Sequence, residues 1–100
     1  MRNVNIPYNI VGCSDLTPTD KTFLLWCWSV STDDTRYNLI SNKQGCHSRG
    51  RTIQLYAYIM GVDRAQVSRM FTRLRELGVI KAEHMYRYKC EYVDFTYFIS

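Results

Sequence analysis

The chain has no apolar run long enough to cross a membrane, no C-x-x-C pair, and only two histidines, His47 and His84. The first absence argues against a membrane-spanning protein. The second argues against a zinc site, because Cys13, Cys27, Cys46 and Cys90 are widely and irregularly spaced. Cys46 and His47 are adjacent, a poor arrangement for holding one zinc ion. No metal site and no cofactor are therefore expected. Neither histidine sits in a catalytic signature, which argues against an enzyme. Cys46 beside His47 is the one candidate nucleophile, and it would need an exposed, electropositive surrounding. The N-terminus shows no charged-then-apolar leader. Reduced, structural thiols and a cytoplasmic location are the expectation. Internal repeats and low-complexity tracts are also missing.

What is present suits one folded domain over 1–100. Hydrophobic residues make up 46% and charged residues 22% of 100 positions, a globular balance rather than a disordered one. Tyrosine occurs 8 times. Its ring packs while its hydroxyl stays available to water or phosphate, which suits a half-exposed surface. The net charge is +4, and its location matters more than its size. Residues 1–42 carry three basic and four acidic side chains, whereas residues 43–75 carry seven basic and one acidic. The positive field is concentrated in the middle of the chain, as for a domain that meets a polyanion.

Residues 1–15 are broken by Asn3, Pro7, Asn9, Gly12 and Ser14, and are expected to form a short strand or an arm docked on the core. Thr17, Pro18 and Asp20 then give an N-cap, a first-turn proline and a first-turn acid. They predict a helix over about 18–31, buried on most sides through Phe23, Leu24, Trp26, Cys27 and Val30. Residues 32–50 read as a long polar connection with a short buried patch at Leu39-Ile40. A second helix is predicted over about 52–60, stopped by Gly61. Asp63 caps a third, from Arg64 to Leu77, which ends at Gly78. Its buried stripe is Val67, Met70, Phe71, Leu74 and Leu77. Two antiparallel strands follow, about 79–88 and 93–99, with a turn near Lys89–Tyr92. The second is drawn from the alternation of Val93, Phe95, Tyr97 and Ile99.

The informative segment is 52–78, two helices joined by the short turn Gly61-Val62-Asp63, which is a helix-turn-helix pattern. The hairpin at 79–99 takes the place of a wing. The run Leu55 to Arg69, followed by Leu74-Arg75-Glu76-Leu77-Gly78-Val79-Ile80, resembles the winged helix-turn-helix proteins of bacteria, phages and plasmids. Leu16 to Lys21, followed by Phe23-Leu24-Leu25, is similar to the first helix of the DNA-binding domains of phage replication organisers and plasmid replication initiators. The likeness spans about residues 16–88. It implies an α+β fold, three helices followed by a C-terminal β-hairpin wing, with the third helix as the recognition helix.

The residues agree with that picture. The buried stripe of the third helix leaves Ala65, Ser68, Arg69, Thr72 and Glu76 on the opposite face, with Arg73 on the flank. Arg64 and Gln66 sit in the first turn. Ala65 and Ser68 are small enough for close approach. Arg69 suits guanine and Gln66 suits adenine in a major groove, while Thr72 and Arg73 are placed for phosphate. Lys43, Arg49 and Arg51 before the helices, and Arg87 and Lys89 in the wing, complete the candidate set. The bland alternative is ordinary solvent exposure of these charges, and core packing of the wing tyrosines.

The expected function is sequence-specific binding of double-stranded DNA by a transcriptional regulator, as a homodimer on a two-fold site. Trp28, Tyr58 and Tyr97-Phe98 are the apolar positions available for pairing. A phage or mobile-element setting is implied by the resemblance alone. The alternatives are a replication initiation or replisome-organising DNA binder, with a replication protein as partner, and a protein-interaction module on the same fold.

Overall fold

The computed structural model describes the backbone of residues 4–39, 49–85 and 88–99; the side chains of 49–51, 85, 88 and 89 lie outside that description. Lys43 and Arg87 therefore fall outside the described residues altogether. The elements in chain order are α1 (Asn5–Val11), α2 (Pro18–Val30), β1 (Arg36–Asn38), α3 (Arg49–Met60), α4 (Arg64–Leu77), β2 (Ile80–Met85), β3 (Tyr88–Asp94) and a 3-10 turn, Phe95–Phe98. The result is an α+β domain with four helices and a three-stranded antiparallel sheet of order β1-β3-β2.

The sequence reading of three helices and a hairpin is corrected at both ends. Residues 5–11, expected as a strand or arm, form α1 instead. Ile6 and Ile10 lie one helical turn apart and are both fully buried. Asn9, which reads as a breaker, uses its side chain elsewhere: Nδ2 donates to the Phe98 carbonyl at 2.6 Å. At the other end, β3 stops at Asp94 rather than continuing to residue 99. The Asp94 carboxylate accepts from the Thr96 N–H at 3.0 Å and starts the 3-10 turn. Phe95 and Phe98, three residues apart and so on one side of such a turn, are buried. Tyr97 and Ile99 face outward. The apparent period of two conceals a period of three. The strand pairing of β2 with β3 runs to Met85↔Tyr88, so the expected turn at 89–92 lies inside β3.

A third correction is β1. Its register of Arg36↔Asp94 to Asn38↔Tyr92 adds a strand to the hairpin's inner edge. Leu39 beyond it is buried, as anticipated for half of the Leu39-Ile40 patch; Ile40 lies outside the described residues.

The α2 start follows its local chemistry. Thr17 and Asp20 form a reciprocal capping box with Pro18 at the first helical position. The α3 helix begins about one turn before its expected start. Val62 N–H returns to the Ala57 carbonyl at 3.1 Å, and Gly61 takes a left-handed φ of 69° to close the end of α3. The span of α4 is the one read from Asp63 and Gly78: Asp63 caps it through the Gln66 N–H, and Gly78 ends it at φ 87°.

Phe23, Tyr56 and Phe71 form a triangle of rings, 5.3, 5.5 and 5.8 Å apart, that knits α2, α3 and α4 together. Such pairs contribute about 0.5–1.5 kcal/mol each beyond the area they bury. Trp28 packs edge-on to Phe95 at 5.1 Å, which ties α2 to the 3-10 turn. Trp28 and Phe98 are thus used internally. Of the apolar positions considered for pairing, Tyr58 and Tyr97 remain exposed.

Candidate nucleic-acid interface

The α4 helix turns one face to the core and another to solvent. Val67, Met70, Phe71 and Leu74 are buried, while Arg64, Ala65, Ser68, Arg69, Thr72 and Glu76 are exposed. A spacing of three and four residues separates the two sets onto opposite faces. The Asp63 side chain accepts from the Gln66 N–H at 2.7 Å, leaving other first-turn N–H groups at the helix N-terminus without an intrahelical partner.

The four arginines of α4 divide into two kinds. Arg73 Nη2 donates to Asp20 Oδ1 at 2.7 Å, and the Asp20 side chain is fully buried. Arg75 makes a two-pronged pair with Glu91 on β3, at 2.7 and 2.9 Å. The first pair fastens α4 to α2, and the second fastens it to the hairpin. Among the described residues, no ion pair holds Arg64 or Arg69. Both stand exposed beside Ala65 and Ser68, where small side chains leave the backbone approachable.

The remaining sequence candidates sort as follows. Gln66 is half-buried, and its Nε2 donates to Thr19 Oγ1 on α2 at 3.2 Å. Thr72 is exposed, with its hydroxyl donating to the Ser68 carbonyl at 3.1 Å. Arg73, expected on phosphate, is instead committed to Asp20, and the carboxylate that captures it is 53 residues away in sequence. Arg49 and Arg51 lie on the first turn of α3, and Lys89 lies on β3; their side chains are outside the described residues. The structure thus brings Arg64, Ala65, Ser68, Arg69 and Thr72 to one exposed face.

The hairpin has its own fixings. Arg36 of β1 reaches Glu83 at 3.1 Å and stacks on the Tyr92 ring at 4.1 Å. Lys81 pairs with Asp94 at 2.7 Å. Burial works against ionisation of Asp94, but hydrogen bonds from Lys81 and Thr96 outweigh it and hold the carboxyl below its ordinary range. The same partner raises Lys81 above the usual lysine value. His84 is exposed on β2.

Three positioning residues escaped the sequence reading: Asp20, Thr19 and Glu91. Asp20 was legible only as a first-turn acid. Its burial beneath Arg73 depends on a packing of α2 on α4 that no local pattern carries. Cys13, Cys27 and Cys90 are free thiols, and Cys27 is fully buried, which pushes its pKa far above the ordinary thiol value. Among the described residues, no group of three or more His, Cys, Asp or Glu side chains could hold a metal ion, and no helix is long and apolar enough to cross a membrane.

The chain matches no protein-family model, no curated protein and no solved structure.

Proposed function

We propose that this domain is a winged helix-turn-helix that binds double-stranded DNA in a sequence-specific way, with α4 as its recognition helix. The observation that carries the reading is the division of arginines on α4. Arg73 and Arg75 are consumed in orienting the helix, while Arg64 and Arg69 are exposed without an ionic partner among the described residues, flanking two small side chains. A merely solvated face has no need of rigid anchorage on both flanks. A reading helix does, because base contacts demand fixed register.

Two further features support it. The order α2, β1, α3, α4, β2, β3, with α3 and α4 separated only by Gly61-Val62-Asp63, fits a helix-turn-helix followed by a wing whose sheet is closed by β1. Arg49 and Arg51 occupy the first turn of α3, where the helix dipole disfavours cations. A neighbouring phosphate would favour cations at that position.

The biological role we assign is transcriptional regulation of a phage or other mobile element, by a homodimer on a two-fold operator. Direct repeats in place of a palindrome would assign it to replication origins instead.

The test is a fluorescence anisotropy titration of labelled duplex DNA over a series of salt concentrations. Affinity is expected to fall linearly with salt on logarithmic axes, and Arg64→Ala to reduce the slope by about 1. Absence of salt-dependent binding would reassign the fold to protein interaction.

A further inference from the structure

We propose that the outer face of α1 is covered by a second copy of this chain, the two α1 helices lying antiparallel about Tyr8; this rests on the homodimer part of the reading above. Seven large apolar side chains stand exposed among the described residues, and five of them come from the two ends of the fold. Val4 at the N-cap of α1, with Tyr8 and Val11, is one group, at 67%, 76% and 54% exposure. Tyr97 and Ile99 are the other. Single exposed apolar residues are ordinary, whereas a cluster of them marks a contact surface. Tyr58 is a single case, the one member of the seven that lies on α3.

Val4, Tyr8 and Val11 are spaced by four and then three residues, which puts them in one stripe along the helix. Ile6 and Ile10 go to the core from the other side, so this short helix is apolar on both. It is held firmly. It packs on α2 and on the 3-10 turn, and Asn9 Nδ2 donates to the Phe98 carbonyl at 2.6 Å. That attachment sets Tyr97 and Ile99 beside α1.

Charge and area point to a second copy as the occupant. Residues 3–14 contain no charged side chain, in a chain of net charge +4. A neutral face lets two basic copies meet without like-charge repulsion, and it offers no charge by which to select a different protein. An apolar stripe is also its own complement across a two-fold axis, and Tyr8, at its middle, then meets Tyr8 of the copy. The five side chains present on the order of 500 Å² per copy, so a pair would hide about 1,000 Å², the lower limit for a specific interface. The dimer is therefore weak by itself, in the micromolar range. Pairing through this face leaves Arg64 and Arg69 of α4 uncovered.

Sedimentation velocity over a concentration series tests it, with Tyr8→Lys, Tyr8→Glu, their equimolar mixture, and Tyr58→Lys as the matched control on α3. Wild type is expected to self-associate, each Tyr8 variant to weaken association by about tenfold or more, and the mixture to restore it through opposite charges at the axis. Tyr58→Lys is expected to behave as wild type. A wild type that stays monomeric at every concentration would overturn the proposal and leave the face to a protein of another sequence. A dimer that survives both Tyr8 variants, is lost in Tyr58→Lys, or is not restored in the mixture would overturn it as well. Anisotropy titration of the same samples with duplex DNA keeps the two readings apart. Salt-dependent DNA binding by a monomer would sink the pairing alone, whereas a dimer through α1 without such binding would sink the DNA reading and leave the pairing standing.

Discussion

Arg73 Nη2 lies 2.7 Å from Oδ1 of Asp20, a carboxylate with no exposed surface, and so joins the middle of α4 to the first turn of α2. The Asp20 carboxylate serves two partners at once: it receives the Thr17 N–H, which closes the α2 capping box, and it holds the Arg73 guanidinium. Asp20→Ala is expected to cost about 2.5–4 kcal/mol, combining a lost capping-box hydrogen bond of about 1 kcal/mol with a lost charged hydrogen bond of about 1.5–3 kcal/mol. Urea denaturation checks the value. Arg73→Ala is expected to lower stability too, yet to leave the salt slope of DNA binding unchanged, which separates an anchoring arginine from a phosphate contact.

Gly78 and Gly12 should respond to alanine with opposite signs. Gly78 holds φ 87°, and an added Cβ would meet nothing within 4 Å, so the penalty is purely backbone. Gly78→Ala is expected to destabilise by about 1–2 kcal/mol. Gly12 has an ordinary φ of −83°, with the nearest atom to an added Cβ at 3.4 Å. Gly12→Ala is expected to stabilise by about 0.4–1 kcal/mol by restricting the unfolded chain. Thermal melts of the two variants decide the matter.

The Lys81–Asp94 pair gives the hairpin a pH signature. Asp94 is depressed in the folded state, so its contribution is present above the unfolded carboxyl value of about 3.9 and is lost as pH falls through the lower folded value. Lys81 is raised, so its contribution is present below about 10.4 and is lost as pH rises through the higher folded value. The stability gap between wild type and Lys81→Ala is expected to be level between about pH 5 and 9 and to shrink at both extremes. Denaturation at a series of pH values measures it.

Thiol labelling reports the core. Cys27 is fully buried with a strongly raised pKa, whereas Cys13 and Cys90 are half-buried. In the native protein, Cys27 is expected to react with a thiol reagent last and at the rate of global unfolding. Mass spectrometry of the labelled peptides identifies the order.

The parts legible in the sequence were those with local punctuation. Thr17-Pro18 and Asp63 mark helix starts, Gly61 and Gly78 mark stops, and the stripe from Val67 to Leu74 marks a face. Other parts answer to distant partners. Helix α1 looks broken by Pro7 and Asn9 until Ile6 and Ile10 find the core and Asn9 finds the Phe98 carbonyl. Three residues of β1 are too few to show alternation, and they become a strand only beside β3. For the candidate site, helix periodicity placed Ala65, Ser68, Arg69, Thr72 and Glu76 on one face, with Arg64 in the first turn. It could not tell that Arg73 would be claimed by a carboxylate 53 residues away.

The central claim is that α4 reads base pairs, and selection from a pool of random duplexes tests it most directly. Wild type and Arg69→Ala would each be used at several salt concentrations and the retained DNA sequenced. The account expects wild type to enrich a motif, affinity to fall steeply with salt, and Arg69→Ala to lose preference at one position of that motif. Enrichment of no motif, with Arg69→Ala indistinguishable from wild type, would contradict it.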